Sequence, residues 1–106
     1  MAKVIFIVQR RQDKTLEEMR EHWSGGEHLS HVRQVPGLKM FVQNYIVASP
    51  EGQICDGVGE LWFENDEVME KALSSPEMGA AVESAKNFLD METTGMIIVE
   101  ERTVLS

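Results

Sequence analysis

The chain has 106 residues, of which 42% are hydrophobic, and this length predicts a single domain over residues 1–106 with one core. Its formal net charge is −8, and residues 54–106 carry twelve acidic and three basic side chains, so nucleic acid is excluded as a partner. No run approaches the roughly 20 apolar residues of a membrane span, and no secretion signal is recognisable, so we expect no membrane partner and a cytoplasmic location.

The first predicted elements are a strand and a helix. The unbroken β-branched and aromatic run Val4–Val8 predicts the strand. Thr15 and Glu18 have the spacing of a capping box, which predicts that a helix begins there with Trp23 on its apolar stripe. The pair Gly25–Gly26 should end this helix, because each glycine costs roughly 1 kcal/mol relative to alanine in a helix interior.

All three histidines of the chain lie within one ten-residue stretch: His22, His28 and His31. Imidazoles give and take protons near neutral pH, so this stretch is the candidate site for chemistry. A short second helix over residues 27–34 would place His28 with Val32 on the side that faces the core. By the same geometry His31 should lie nearer the rim, and His22 should be partly solvated.

Two roles are open for His28. A histidine on an apolar helix face is desolvated, which favours the neutral form that can accept a proton and act as an acid/base catalyst. It could instead be a core histidine satisfied by a backbone carbonyl or a carboxylate. A metal site formed by Glu27, His28 and His31 lacks the convergence of ligands that a closed site needs, so we expect no metal.

A second strand is predicted after the turn at Pro36–Gly37, over Leu38–Val47. Its alternation places Asn44 and Tyr45 on opposite faces, and either could donate a hydrogen bond to a developing oxyanion. Because the pattern does not show which face meets the pocket, both are candidates for substrate binding.

The third predicted strand covers Cys55–Phe63 and carries two carboxylates, Asp56 and Glu60, on one face. Either carboxylate could orient the ring of His28 or act as the second proton carrier. The cysteine at the start of this strand is the only one in the chain, and we expect it to be a small buried apolar residue.

Both tryptophans could supply a flat wall for an aromatic ligand. For Trp62, which lies on the face that carries the two carboxylates, strand spacing favours a place in the core. We expect Trp62 to lie around the substrate together with Trp23, His22 and His31, in addition to the two candidates on the second strand.

The last elements are two helices and a strand. Asn65 and the pair Ser75–Pro76 are typical of helix starts, and Met96–Val104 predicts the final strand. The order β-α-β-β-α-β predicts a ferredoxin-like α+β fold, a four-stranded antiparallel sheet with helices on one face. Because Val4–Val8 and Met96–Val99 are apolar on both faces, a second copy should cover the free face, which predicts a homodimer.

Six short blocks of the chain occur in a recognisable order: His22-Trp23 with His28, Pro36-Gly37-Leu38, Val42-Gln43-Asn44, Asp56 to Phe63, Ser75-Pro76-Glu77, and Asn87 to Asp90. Together they resemble the EthD family of the dimeric α+β barrel superfamily, which is named after a protein of ethyl tert-butyl ether degradation. The likeness spans nearly the whole chain. In it, His28 matches the helical histidine of the family.

The resemblance implies an enzyme that needs no cofactor. Relatives with activities include lactone isomerases and aromatic polyketide cyclases, dehydratases or decarboxylases, which transfer protons without metal or organic cofactor. We therefore expect no cofactor, a small aromatic, lactone or polyketide-like ligand, and His28 as the acid/base. Two alternatives are open: a binding or accessory protein of a catabolic pathway, and a monooxygenase, which fold analogy alone supports.

Overall fold

The computed structural model describes residues 1–106 and contains eight elements. These are β1 (Ala2–Val8), α1 (Leu16–Trp23), α2 (Gly26–Val32), β2 (Leu38–Tyr45), β3 (Gly57–Phe63), α3 (Asp66–Leu73), α4 (Pro76–Ala85) and β4 (Gly95–Glu100). The strands form one antiparallel sheet in the order β2-β3-β1-β4. The predicted α+β fold is confirmed, and a pair of short helices occupies each α position of the predicted order.

Three strands differ from the prediction at their ends. The second strand ends at Tyr45 rather than Val47, the third begins only at Gly57, and the last ends at Glu100 rather than Val104. Val47 and Val104 are 95% and 86% exposed. Ile46 and Val47 continue the apolar run of the second strand beyond its last paired residue, Tyr45, so hydrophobic pattern alone overestimates strand length.

The helix ends follow the local signals in the sequence. The Thr15 hydroxyl accepts a hydrogen bond from the Glu18 N–H at 3.1 Å, and the Glu18 carboxylate accepts one from the Thr15 N–H at 2.9 Å, which confirms the capping box. Gly25 is the N-cap of α2, so the glycine pair separates α1 from α2 as predicted. Asn65 and Ser75 cap α3 and α4. None of these helices has the length and hydropathy needed to cross a membrane.

The core between the helices and the sheet has two parts. One part surrounds Phe63 and Met69, and the other surrounds Trp23 and Phe88. Phe6, on β1, packs against both parts. The space between them is not completely filled, and it forms the cavity described below.

The opposite face of the sheet is uncovered and carries an apolar patch beside charged residues. The strand register places Ile5 and Ile97 side by side on this face, and the edge strand β4 is exposed on both sides, with Met96, Ile97 and Ile98 at 48%, 48% and 56%. The total accessible surface is 6867 Å², about 900 Å² more than is typical of a folded chain of this mass. The open sheet face contributes to this excess, as do residues 50–54 and 101–106, which are exposed.

Candidate functional site

A cavity of about 60 Å³ lies between the helices and the sheet, and 12 of its 15 lining residues are hydrophobic. Phe6 and Phe41 line it from the sheet, and Trp23 lines it from α1. His28 and Thr94 are the two lining residues with polar side chains. These two side chains and the indole N–H of Trp23 are the polar side-chain groups of the lining residues.

His28 enters the cavity wall from α2 and is only 7% exposed, as its spacing predicts. Its Nδ1 atom shares a hydrogen bond with the Ser84 hydroxyl of α4 at 3.1 Å. The ring of Phe88 meets the imidazole edge-on, with 5.1 Å between the ring centroids. Nε2 has no hydrogen-bond partner in the protein.

Burial controls the protonation of this ring. Burial, together with the smaller electrostatic effect of His31, lowers the pKa of His28 from its ordinary value of 6.5 to about 4. The imidazole is therefore neutral at pH 7. A neutral imidazole can accept a proton on one nitrogen while it donates from the other.

Trp23 forms a flat wall of the cavity, as expected, and two glycines of β3 make room for it. A Cβ atom on Gly57 would lie 2.7 Å from Cζ3 of the indole, and one on Gly59 would lie 3.3 Å from Cζ2. The first distance is shorter than real contacts allow, so the indole can lie against the strand only because Gly57 has no side chain.

The other two histidines do not reach the cavity. His22 is exposed, and its ring stacks on Phe88 with a centroid distance of 5.9 Å. His31 is half-buried and lies outside the lining. Both positions agree with the orientations predicted from helical spacing. The side chains of Glu27, His28 and His31 do not converge on a point where a metal ion could be held.

The structure does not bring the two expected carboxylates to His28. Asp56 is buried, but it accepts hydrogen bonds from the Arg10 N–H at 2.8 Å and from the Gln53 amide at 2.6 Å. Glu60 lies on the open face of the sheet in an ion pair with Lys3 at 2.5 Å. The hydrogen bond from this ammonium lowers the pKa of Glu60. Neither carboxylate lines the cavity.

The structure shows which face of the sheet each candidate on β2 occupies. Asn44 lies on the open face, where its amide donates to Glu60 at 2.9 Å. Tyr45 lies on the helix side, with its ring centroid 6.0 Å from that of Trp23 and its hydroxyl bonded to Ser24, but it does not line the cavity.

Trp62 is also on the open face and not in the core, so that expectation is wrong. The ammonium group of Lys3 lies 4.4 Å from the centroid of its ring. The alternation along β3 placed Trp62 correctly with Glu60, but alternation does not show which face the helices cover. Neither residue lines the cavity.

Sequence reasoning missed Ser84 and Thr94. Ser84 contacts His28 across 56 positions of sequence, and Thr94 accepts a hydrogen bond from the backbone of Gln9 across 85 positions. Both are single hydroxyl residues without a local motif. Their roles arise from the packing of distant segments, and no sequence signal short of the fold itself would have found them.

Comparison with known proteins agrees with this architecture. Residues 11–92 match the model of the EthD domain. An ethyl tert-butyl ether degradation (EthD) family protein from Bacillus halodurans C-125 is 26% identical, with a TM-score of 0.80 over 96% of this chain and 99% of that one. The Arabidopsis thaliana protein At3g17210 is 15% identical, with a TM-score of 0.77 over 100% of both chains.

A third structure is a dimeric protein of ferredoxin-like fold from Bacteroides fragilis. It is 16% identical, with a TM-score of 0.67 over 94% of this chain and 95% of that one. At this identity the likeness shows the fold alone, as it does for the Arabidopsis protein. No protein of curated function matches the sequence. Because the domain model covers most of the chain, the protein is a member of the EthD family.

Proposed function

We propose that the protein is a cofactor-independent acid/base enzyme, of isomerase, cyclase, dehydratase or decarboxylase type. Its substrate would be a small aromatic, lactone or polyketide-like molecule bound in the cavity. The observation that supports this proposal is the buried imidazole of His28, held in the wall of a mostly apolar cavity, with Nε2 unpaired and the pKa lowered by burial. A pocket with few polar groups and one perturbed titratable residue is typical of a reaction site.

The contact with Ser84 determines which nitrogen acts. We assign the tautomer in which Nδ1–H of His28 donates to the Ser84 hydroxyl, which leaves a lone pair on Nε2. In the opposite tautomer Nδ1 would accept from Ser84, and the N–H of Nε2 would have no acceptor in the protein. Nε2 is then the base.

The chemistry that fits this arrangement is enolisation. Nε2 of His28 takes a proton from the carbon next to a carbonyl group, and the C–H electron pair stays on the substrate as an enolate. The negative charge of the enolate stabilises the imidazolium beside it, which offsets the low basicity of the buried ring. Return of the proton to a different carbon gives an isomer, and no external reactant is consumed.

Cavity size and charge limit the ligand. A volume of about 60 Å³ is less than the roughly 150 Å³ of an engineered cavity that binds benzene. A ring-sized ligand therefore requires wall side chains to move, and Met91, unbranched and half-buried, is the best suited to do so. No acidic, lysine or arginine side chain lines the cavity, so the ligand should be uncharged.

The open sheet face supports a homodimer, which we include in the proposal. Ile5 and Ile97 lie side by side on this face, and Ile97 is 48% exposed. Polar groups on this face are already paired, because Lys3 bonds both Glu60 and Glu101. The structural neighbour from Bacteroides fragilis is described as dimeric. Two such faces packed together would remove the exposed apolar surface from water.

Exchange of carbon-bound protons with D₂O tests the proposed catalysis without knowledge of the natural substrate. The probes are acetophenone and α-angelica lactone, followed by proton NMR with the native protein and with His28→Asn. Asparagine keeps a polar group near the position of Nδ1, so it can bond Ser84, but it lacks Nε2. We expect exchange to be on the order of 100-fold faster with the native protein. His22→Asn, on the exposed ring, is the matched control and should not change the rate.

One observation favours the alternative of a binding protein without turnover. His28 is the only titratable residue in the lining, whereas many acid/base enzymes use two such groups. If both probes bind to the native protein but exchange no faster than with His28→Asn, the catalytic proposal fails and the binding role replaces it.

A further inference from the structure

Thr94, the second polar residue of the cavity wall, has an unused hydrogen-bond donor. It lies in the segment between α4 and β4, directly before the first residue of β4. Its Oγ1 atom accepts a hydrogen bond from the Gln9 N–H at 3.1 Å, and its own N–H donates to the Asp90 carbonyl at 2.9 Å. The structure contains no bond that its hydroxyl proton donates.

The bond from Gln9 fixes the oxygen but not the proton. A hydroxyl group carries one donor and two acceptor lone pairs, and this bond occupies one lone pair. The O–H can still rotate toward a partner. The lining residues around Thr94 are mostly hydrophobic and Thr94 is half-buried, so the acceptor for this donor is either water or a molecule in the cavity.

We infer that the Thr94 hydroxyl donates to the carbonyl oxygen of the bound ligand, so the ligand class is a neutral ketone or lactone and not a hydrocarbon or an anion. This inference rests on the proposed function, because it concerns the same cavity. His28 stands on α2 and Thr94 before β4, in different walls. A carbonyl group bound by Thr94 can present its neighbouring carbon to the base, and the hydrogen bond would strengthen as the oxygen becomes an enolate.

The test compares two ligands of nearly equal shape. Acetophenone has a carbonyl oxygen where α-methylstyrene has a CH₂ group, and their dissociation constants are measured with the native protein, Thr94→Val and Thr94→Ser. We expect the native protein to prefer acetophenone by about tenfold. Valine has the shape of threonine without the hydroxyl, so Thr94→Val should bring the ratio near one, while Thr94→Ser should keep it.

The ratio separates ligand binding from a purely structural role. Thr94→Val also removes the acceptor for the Gln9 N–H. If this structural change alone mattered, the affinities for both ligands would fall alike and the ratio of the two dissociation constants would not change. A second readout is the infrared carbonyl band of bound acetophenone, which should move to lower frequency with the native protein and Thr94→Ser but not with Thr94→Val. Thr93→Val, at the exposed neighbouring position, is the control and should leave the ratio and the band unchanged.

Each result of this comparison either supports or contradicts the role of Thr94 in ligand binding. A native preference for acetophenone that survives in Thr94→Val would overturn it, and so would equal native affinity for both ligands. If neither ligand binds to the native protein, the proposed function fails as well. If acetophenone binds through Thr94 but its protons do not exchange faster than with His28→Asn, the subsite is supported and only the catalytic proposal fails.

Discussion

Nδ1 of His28 lies 3.1 Å from the hydroxyl oxygen of Ser84, and this contact joins α2 to α4. It restricts rotation of the imidazole, which the edge of Phe88 also contacts at a centroid distance of 5.1 Å. A base must keep its orientation toward the substrate to act efficiently. We therefore regard Ser84 as the positioning residue for His28.

Removal of the Ser84 hydroxyl should weaken both the fold and the base. In Ser84→Ala the Nδ1–H of His28 loses its acceptor, so we expect a loss of about 1 kcal/mol in the free energy of unfolding and about tenfold slower proton exchange. Ser84→Thr retains the hydroxyl and should restore the exchange rate. Urea unfolding and proton NMR with acetophenone measure the two effects. An unchanged exchange rate in Ser84→Ala would contradict the positioning role.

The buried His28 should make the fold less stable in acid. Burial, with the charge of His31, lowers the pKa of His28 to about 4 in the folded state, against 6.5 for an exposed ring. Between pH 6.5 and about 4 the unfolded chain binds a proton on His28 and the folded chain does not. The free energy of unfolding is therefore highest above pH 6.5 and declines as the pH falls toward 4. The total loss should be on the order of 3 kcal/mol.

Urea unfolding of the native protein and of His28→Asn between pH 7.5 and 4 (a range chosen to span roughly the two pKa values) measures this loss. Acidic residues titrate in both proteins, so the difference between the two curves isolates His28. The exposed His22→Asn variant should follow the native curve. Parallel curves for the native protein and His28→Asn would show that the ring is not desolvated.

A methyl group at Gly59 should block the cavity without a change at His28. The added Cβ would lie 3.3 Å from the Trp23 indole and 3.5 Å from the Phe41 ring, so Gly59→Ala narrows the space between them. We expect acetophenone affinity to fall at least about tenfold, with stability changed by no more than about 1 kcal/mol. Ligand-observed NMR measures the affinity.

Gly79→Ala is the matched control for this substitution. Nothing lies within 4 Å of a Cβ at that position of α4, so binding should not change, and the helix should gain roughly 0.5–1 kcal/mol. If Gly59→Ala binds acetophenone as tightly as Gly79→Ala does, the ligand does not occupy this cavity.

A charge on the open sheet face should dissociate the homodimer. Ile97 pairs with Ile5 on that face, whereas the next residue, Ile98, pairs with Val4 on the helix side. The two isoleucines are similarly exposed, at 48% and 56%, so Ile97→Lys and Ile98→Lys form a matched pair. Light scattering should give twice the chain mass of 12.0 kDa for the native protein and Ile98→Lys, and the monomer for Ile97→Lys. A native monomer, or an intact Ile97→Lys dimer, would contradict the proposed interface.

Local signals predicted much of the fold. The capping box at Thr15 and the glycine pair after Trp23 determine helix ends through bonds within a few residues, so they can be recognised in the sequence. Strand ends were less accurate: the prediction extended the last strand to Val104 across the polar residues 100–103, whereas pairing stops at Glu100.

The site was predictable only where it depends on one element. Helical spacing places His28 toward the core. The strand alternation of β3 groups Glu60 with Trp62, but it does not reveal that both side chains face away from the helices. The contacts of Ser84 and Thr94 depend on how distant segments pack, which periodicity does not describe.

The central claim is tested most directly by an NMR spectrum that correlates the ring nitrogens of His28 with its ring protons, recorded over a pH titration. We predict that Nδ1 carries the proton at pH 7, that Nε2 does not, that the ring has a pKa of about 4, and that acetophenone shifts the Nε2 resonance. A proton on Nε2 at pH 7, or an ordinary pKa near 6.5, would contradict the assignment of this ring as the base of the cavity.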